Sequence, residues 1–265
     1  MLFAERERVL YRVNPLAEVI CQLRFPTILR IREGQLAEFQ DTIRSDYPIY
    51  TDQEPSIQIP MQLTKELADI IGRINFPVPM GLVTRRFSTK DSSRFISLSD
   101  EFVAIANTKY ERWELFREEI VKAERALKGV YQPAFYSRVG LRYRDVISRD
   151  RLELSSVGWH ELLQPYIVAE LGDQSLLGAI GRIQTRAVIV ISEIPDGQIT
   201  LTHGLTKSAG SDEECYMIDA DFAVERKEGV SEPFEILDKF HKLAGRLFRW
   251  AITEKLHNAM GPRPI

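Results

Sequence analysis

Apolar and polar positions along the chain change period several times, and each change marks an element. From Ala17 to Phe25, the residues Val19, Cys21, Leu23 and Phe25 alternate with Ile20, Gln22 and Arg24, the period of a strand that Pro26 ends. Between Glu33 and Tyr47, Leu36, Phe39, Ile43 and Tyr47 recur at helical spacing, and Pro48 closes the run. Residues 48–80 hold five of the 13 prolines, which predicts an irregular excursion with one short helix at Thr64–Ile70. Leu82–Thr89, Arg94–Ser99 and Phe102–Thr108 then read as three strands of an antiparallel meander, separated by turn-type residues. Trp113–Val130 sets Trp113, Phe116, Ile120, Ala123 and Leu127 on one stripe opposite a charged face, an amphipathic helix.

After Pro133 the same order returns. Phe135–Ile147 reads as a strand and Gly158–Leu171 as a weaker helix interrupted by Pro165. Strands follow at Ile180–Ser192, Gln198–Thr206 and Cys215–Glu225, the first two joined by a Pro195-Asp196-Gly197 turn. A long helix over Glu232–Leu256 carries Phe234, Leu237, His241, Ala244, Phe248 and Ala251 on one stripe, and the tail Met260–Ile265 reads as loose.

The chain thus spells βαβββα twice. The predicted fold is α+β: two tandem βαβββα halves, 1–131 and 132–265, with antiparallel sheets covered on one face by the two long amphipathic helices. Leu23-Arg24-Phe25 matches Leu141-Arg142-Tyr143, and Trp113-Glu114-Leu115-Phe116 matches Phe234-Glu235-Ile236-Leu237. The offsets are 118 and 121 residues, near enough to constant to favour an internal duplication over chance similarity of two α+β segments.

Composition narrows the function classes. With 265 residues, 44% hydrophobic and 28% charged, the chain resembles an ordinary globular protein with a real core. A net charge of −3 supplies no global field for nucleic acid or an anionic membrane, though it leaves room for a local basic patch. Cys21 and Cys215 lie in apolar strand-like runs without CxxC spacing, which favours buried reduced thiols over a zinc or redox site. The first eight residues carry four charges and no apolar run, unlike a signal peptide. The longest apolar stretch, Ala187–Ile191, is too short to span a bilayer. A cytoplasmic protein with no membrane role is expected.

No phosphate-binding, dinucleotide, zinc-protease, serine-hydrolase or EF-hand motif is present. The four histidines, His160, His203, His241 and His257, are too dispersed for a metal site, so no catalytic residue, metal or cofactor is expected and the protein reads as a non-enzyme. Asp219 and Asp221 share a strand face, where a solvated or salt-bridged ladder explains them more simply than Mg²⁺ binding. The arginines stand out. Arg24, Arg142 and Arg144 leave their strands opposite the Leu/Phe/Tyr set, and Arg182 and Arg186 share a face on a later strand. Such a set clamps phosphates, meets an acidic protein surface, or pairs with Asp219, Asp221 and nearby glutamates. On the last helix, Leu247 and Trp250 widen the apolar arc, which marks them as candidate interface residues for self-association or a protein partner.

The run Asn14-Pro15-Leu16-Ala17-Glu18-Val19-Ile20, followed by Leu23-Arg24-Phe25-Pro26, resembles the opening signature of a sporadically distributed prokaryotic family of conserved proteins of unknown function. That resemblance implies patchy occurrence, as for defence-associated genes, and brings no catalytic residues. The duplicated order also resembles the saddle fold of TATA-box-binding proteins, an analogy of topology only. Two functions follow as expectations: a non-enzymatic binding or regulatory protein, a subunit or partner in a prokaryotic defence or toxin–antitoxin-like module; or a nucleic-acid or nucleotide sensor using the arginine face.

Overall fold

Alternation at the start of the chain does build a strand, and its fully buried Val19, Cys21 and Leu23 sit on one side of the pleat. The computed structural model describes residues 2–53, 84–176, 178–208 and 212–265, and the helix expected at Thr64–Ile70 lies outside them. In chain order the elements begin with β1 (Val9–Tyr11), β2 (Leu16–Arg24), α1 (Leu29–Arg32), α2 (Ala37–Ile43) and β3 (Ile49–Gln53). Next come β4 (Thr84–Ser88), β5 (Arg94–Leu98), β6 (Phe102–Asn107), α3 (Trp113–Tyr131) and β7 (Arg138–Ser148). The chain continues through α4 (Trp159–Leu162), α5 (Pro165–Val168), β8 (Gln184–Val190), β9 (Gly197–Lys207) and β10 (Glu214–Glu225). It ends with α6 (Pro233–Ala251), α7 (Glu254–Ala259) and β11 (Pro262–Pro264). The described strands form a large antiparallel sheet in the order β3-β4-β5-β6-β2-β7-β10-β9-β8, and β1 pairs with β11.

Several elements depart from the pattern reading, each for a local reason. Of the helix expected over Glu33–Tyr47 only Ala37–Ile43 forms; Gly34, at φ +80°, turns the chain after a separate short helix at Leu29–Arg32 that the pattern did not announce. The weak helix at Gly158–Leu171 breaks into α4, α5 and a 3₁₀ turn, with Pro165 opening α5 where its missing N–H costs nothing. The last helix stops at Ala251; Ile252 bridges to Leu163, and Thr253 restarts the chain as the N-cap of α7, the Leu256 N–H donating to its Oγ1 at 3.4 Å. The tail is not loose: Pro262–Pro264 pairs with Val9–Tyr11.

The chain divides into two compact units, each assembled from separate stretches. One comprises Glu18–Leu141 and Ala223–Pro233. Its core gathers Phe39, Phe87, Ile96, Ile105, Phe116 and Ile120, all essentially inaccessible. Arg94 on β5 donates to Glu119 on α3 at 3.0 Å, and the buried Tyr136 hydroxyl donates to Glu124 at 3.0 Å. The other unit comprises Met1–Ala17, Arg142–Phe222 and Phe234–Ile265. Here α6 buries Leu237, Phe240, Leu243, Leu247 and Phe248, and Phe240 meets Phe222 of β10 with ring centroids 5.8 Å apart. No helix of the described residues is long and apolar enough to cross a membrane.

Candidate functional site

Strand alternation decides which side chains of the second unit are left without helix cover. On β9, Ile199, Leu201 and His203 are buried, and the His203 ring lies 2.8 Å from the hydroxyl of Tyr216, itself buried on β10. The intervening Gln198, Thr200 and Thr202 point the other way and keep solvent contact. Pairing with β9 puts Arg186 opposite Thr202, Val188 opposite Thr200 and Val190 opposite Gln198. That face therefore runs across Arg186, Val188 and Val190 on β8 to Thr200 and Thr202 on β9. Val188 is 60% and Val190 72% exposed, unusual for valines within a strand.

The strand that carries them is the last in the sheet. Ile191 N–H donates to Gly197 C=O and Leu205 N–H to Ile183 C=O, so the odd-numbered residues of β8 bond to β9. In an antiparallel ladder the alternate residues turn their N–H and C=O outward, which leaves those of Gln184, Arg186, Val188 and Val190 on the free edge. Edges are normally blunted by charged side chains, proline, a bulge or a covering element. Among the described residues β8 has only Arg186 in this role, and Ala187-Val188-Ile189-Val190 carries no charge.

The arginines singled out by pattern take different places. Arg142 is buried on β7 and engages Asp219 of β10 through both ends of its fork, Nε at 2.7 Å and Nη2 at 2.5 Å. Arg144, two residues on, is half-buried. Arg24 and Glu101, both in the unit that holds Glu18–Leu141, lie 4.0 Å apart. Arg182 is exposed in the loop before β8, and Arg186 is exposed on β8 itself. The five thus do not form one open clamp. Arg142 is committed to a carboxylate, which also occupies both oxygens of Asp219, while Arg182 and Arg186 face solvent. Among the described residues no group of three His, Cys, Asp or Glu side chains is arranged to hold a metal ion.

The α6 residues proposed as an interface are covered by their own chain. Leu247 is 2% exposed. Trp250 stacks on Tyr166 at 4.5 Å and meets Phe3 at 5.2 Å, and the Tyr166 hydroxyl donates to the Trp250 carbonyl at 2.6 Å. The wide apolar arc is real, but the α5 turn and the N-terminal segment pack on it, leaving Leu247 buried and Trp250 half-buried.

Two groups of this unit, the half-buried Asp145 and the buried His203, have displaced acidities. Burial, reinforced by the Asp219 carboxylate, pushes Asp145 from the ordinary carboxylate range up to about 8. Burial lowers His203 below the usual imidazole value and keeps it neutral beside Tyr216. Neither lies in an open cleft. An open groove beside α3, lined by Glu114, Arg117, Glu118, Lys122 and Arg125, mixes both charge signs and offers no convergent chemistry.

No family model matches the chain, and no curated protein matches it. The feature that pattern reading passed over is the β8 edge. Its signal was visible as the Ala187–Ile191 run, read as part of the Ile180–Ser192 strand and as too short for a membrane span, but not as lying at a sheet edge.

Proposed function

We propose that this protein is a non-enzymatic binding module that holds a protein partner along β8. The observation that carries the reading is the pair of exposed valines, Val188 and Val190, on a sheet edge that no described strand pairs with and whose one charge is Arg186. Main-chain donors and acceptors supply affinity in strand addition, and alternate side chains supply specificity, which is what this edge presents. Commitment of Arg142 to Asp219 weakens the competing phosphate-clamp reading, leaving Arg182 and Arg186 as its exposed members. The setting we propose, a subunit of a prokaryotic defence or toxin–antitoxin-like module in the cytoplasm, is supported by the Asn14–Pro26 signature alone.

We also propose that the two halves arose by duplication. In each, a first strand is followed by helices and a meander whose last strand returns beside the first: β4-β5-β6-β2 in one, β8-β9-β10-β7 in the other.

Placing a photoreactive residue by Val190→p-benzoylphenylalanine, with Glu118→p-benzoylphenylalanine on α3 as control, tests the binding reading in host cells. Protein adducts at 190 and none at 118 are expected. Absence of protein adducts at 190, or nucleic-acid adducts in their place, overturns it.

A further inference from the structure

Inside the unit that holds Glu18–Leu141, two buried polar atoms stand close to one another, Tyr47 Oη just beyond α2 and Glu119 Oε2 on α3. Tyr47 is 2% exposed. The Glu119 carboxylate is the strongest charge acting on its phenol, so the two groups are neighbours. Neither atom has a hydrogen-bond partner among the described residues, so no direct bond joins them. A buried hydroxyl or carboxylate oxygen left in that state is expensive, and folded proteins nearly always supply a partner. We propose that Tyr47 and Glu119 hold an internal water where the chain leaving α2 meets α3.

Charge selects water over an ion. Arg94 donates to the other oxygen of Glu119 at 3.0 Å, and Lys122 donates to Asp46 at 2.6 Å. Each cation that acts on the pair is thus already matched to a carboxylate. A further cation would meet Arg94 and Lys122, and an anion would meet Glu119 and Asp46. What fits is a neutral solute that accepts from one side and donates to the other.

The two open atoms ask for that polarity. Burial holds the Tyr47 phenol well above its ordinary acidity range, with the Glu119 charge adding to the effect, so the hydroxyl keeps its proton and donates it. Glu119 Oε2 accepts. A polar gap too wide for a direct bond is the setting in which a water bridges two groups at little enthalpic cost. A third contact is at hand, as such waters usually require. The buried Asn107 side chain reaches the same carboxyl. Its carbonyl oxygen takes the Lys109 N–H at 2.8 Å, which leaves its NH₂ group to face Glu119. Phenylalanine would serve the apolar stripe at position 47 equally well; only the hydroxyl calls for the water.

The full chain and its Tyr47→Phe variant are compared by magnetic relaxation dispersion of water oxygen, which counts the waters held longer than the protein tumbles, and wild type is crystallised. We expect Tyr47→Phe to hold one long-lived water fewer. In the crystal, a water should lie within hydrogen-bond distance of both Tyr47 Oη and Glu119 Oε2. Glu119→Gln keeps an acceptor oxygen on the same side chain and should keep the wild-type count. An unchanged count in Tyr47→Phe overturns the proposal, as does a crystal in which the Tyr47 hydroxyl donates straight to Glu119. Should Tyr47→Phe fail to fold, the wild-type crystal decides by itself.

Discussion

Asp219→Asn should be among the most damaging single-atom-scale changes in this chain. Arg142 and Asp219 are 8% and 7% exposed, and the guanidinium meets both carboxylate oxygens. Moving two ions out of water costs several kcal/mol each, offset only while they face one another. The asparagine keeps the shape but removes the negative charge, leaving a guanidinium shut away from water. The expected loss is about 3–5 kcal/mol, corresponding to a fall in melting temperature of roughly 6–20 °C for a chain of this size. Urea unfolding followed by tryptophan fluorescence measures it directly. The double variant Arg142→Met with Asp219→Leu removes both charges, and should recover most of that loss, because an apolar pair of similar volume is often as stable as a buried ion pair. A loss under about 1 kcal/mol for Asp219→Asn is the range of an exposed pair, and would refute the claim that this contact is desolvated.

Three further outcomes follow from the same geometry. Asp145 is held protonated by burial and by Asp219, so its contribution is fully present below about pH 4 and is lost as pH rises through about 8; Asp145→Asn should flatten the decline in melting temperature over that window, and an unchanged profile would count against it. His203 is depressed by burial, so its contribution is present above pH 6.5 and is lost as pH falls; His203→Gln should flatten the acid limb of the same profile. At Gly204, φ is +155° and an added Cβ would meet the Ile183 carbonyl oxygen at 2.1 Å. Gly204→Ala should therefore cost more than about 1 kcal/mol and speed amide exchange in β8, whereas a neutral effect would show that β8 can shift away from β9 freely.

Much of the fold was legible because long periodic segments leave little choice. The stripe of Trp113, Phe116, Ile120 and Leu127 predicted α3 nearly to the residue, and the Pro195-Asp196-Gly197 turn located the β8–β9 hairpin. Legibility failed where tertiary pairing outweighs local pattern. Nothing in Pro262-Arg263-Pro264 announces a strand; it becomes one because Val9–Tyr11 lies beside it. The helix at Glu33–Tyr47 had the right spacing, but with Gly34 at φ +80° it begins only at Ala37 and ends at Ile43. For the candidate site the difficulty was of another kind. Arginine positions were readable, their partners were not, since Asp219 lies 77 residues from Arg142 and reaches it only through strand pairing. The surplus apolar arc on α6 was equally readable, yet the residues that cover it, Phe3 and Tyr166, are remote in sequence. The β8 edge was the reverse case: its apolar run was obvious, and only the strand order showed that nothing among the described residues pairs with its outer side.

Residue-resolved hydrogen exchange across Gln184–Val190, with and without the protein partner recovered through position 190, tests the role of β8 most directly. Odd-numbered amides of the strand are already bonded to β9 and should be protected in both samples. The amides of Arg186, Val188 and Val190 should exchange quickly in the free protein and slow at least tenfold in the complex, as a bound strand fills the edge. Equal, rapid exchange of these three in both samples would contradict the proposal, because it would leave the edge open to water where the partner is meant to be joined.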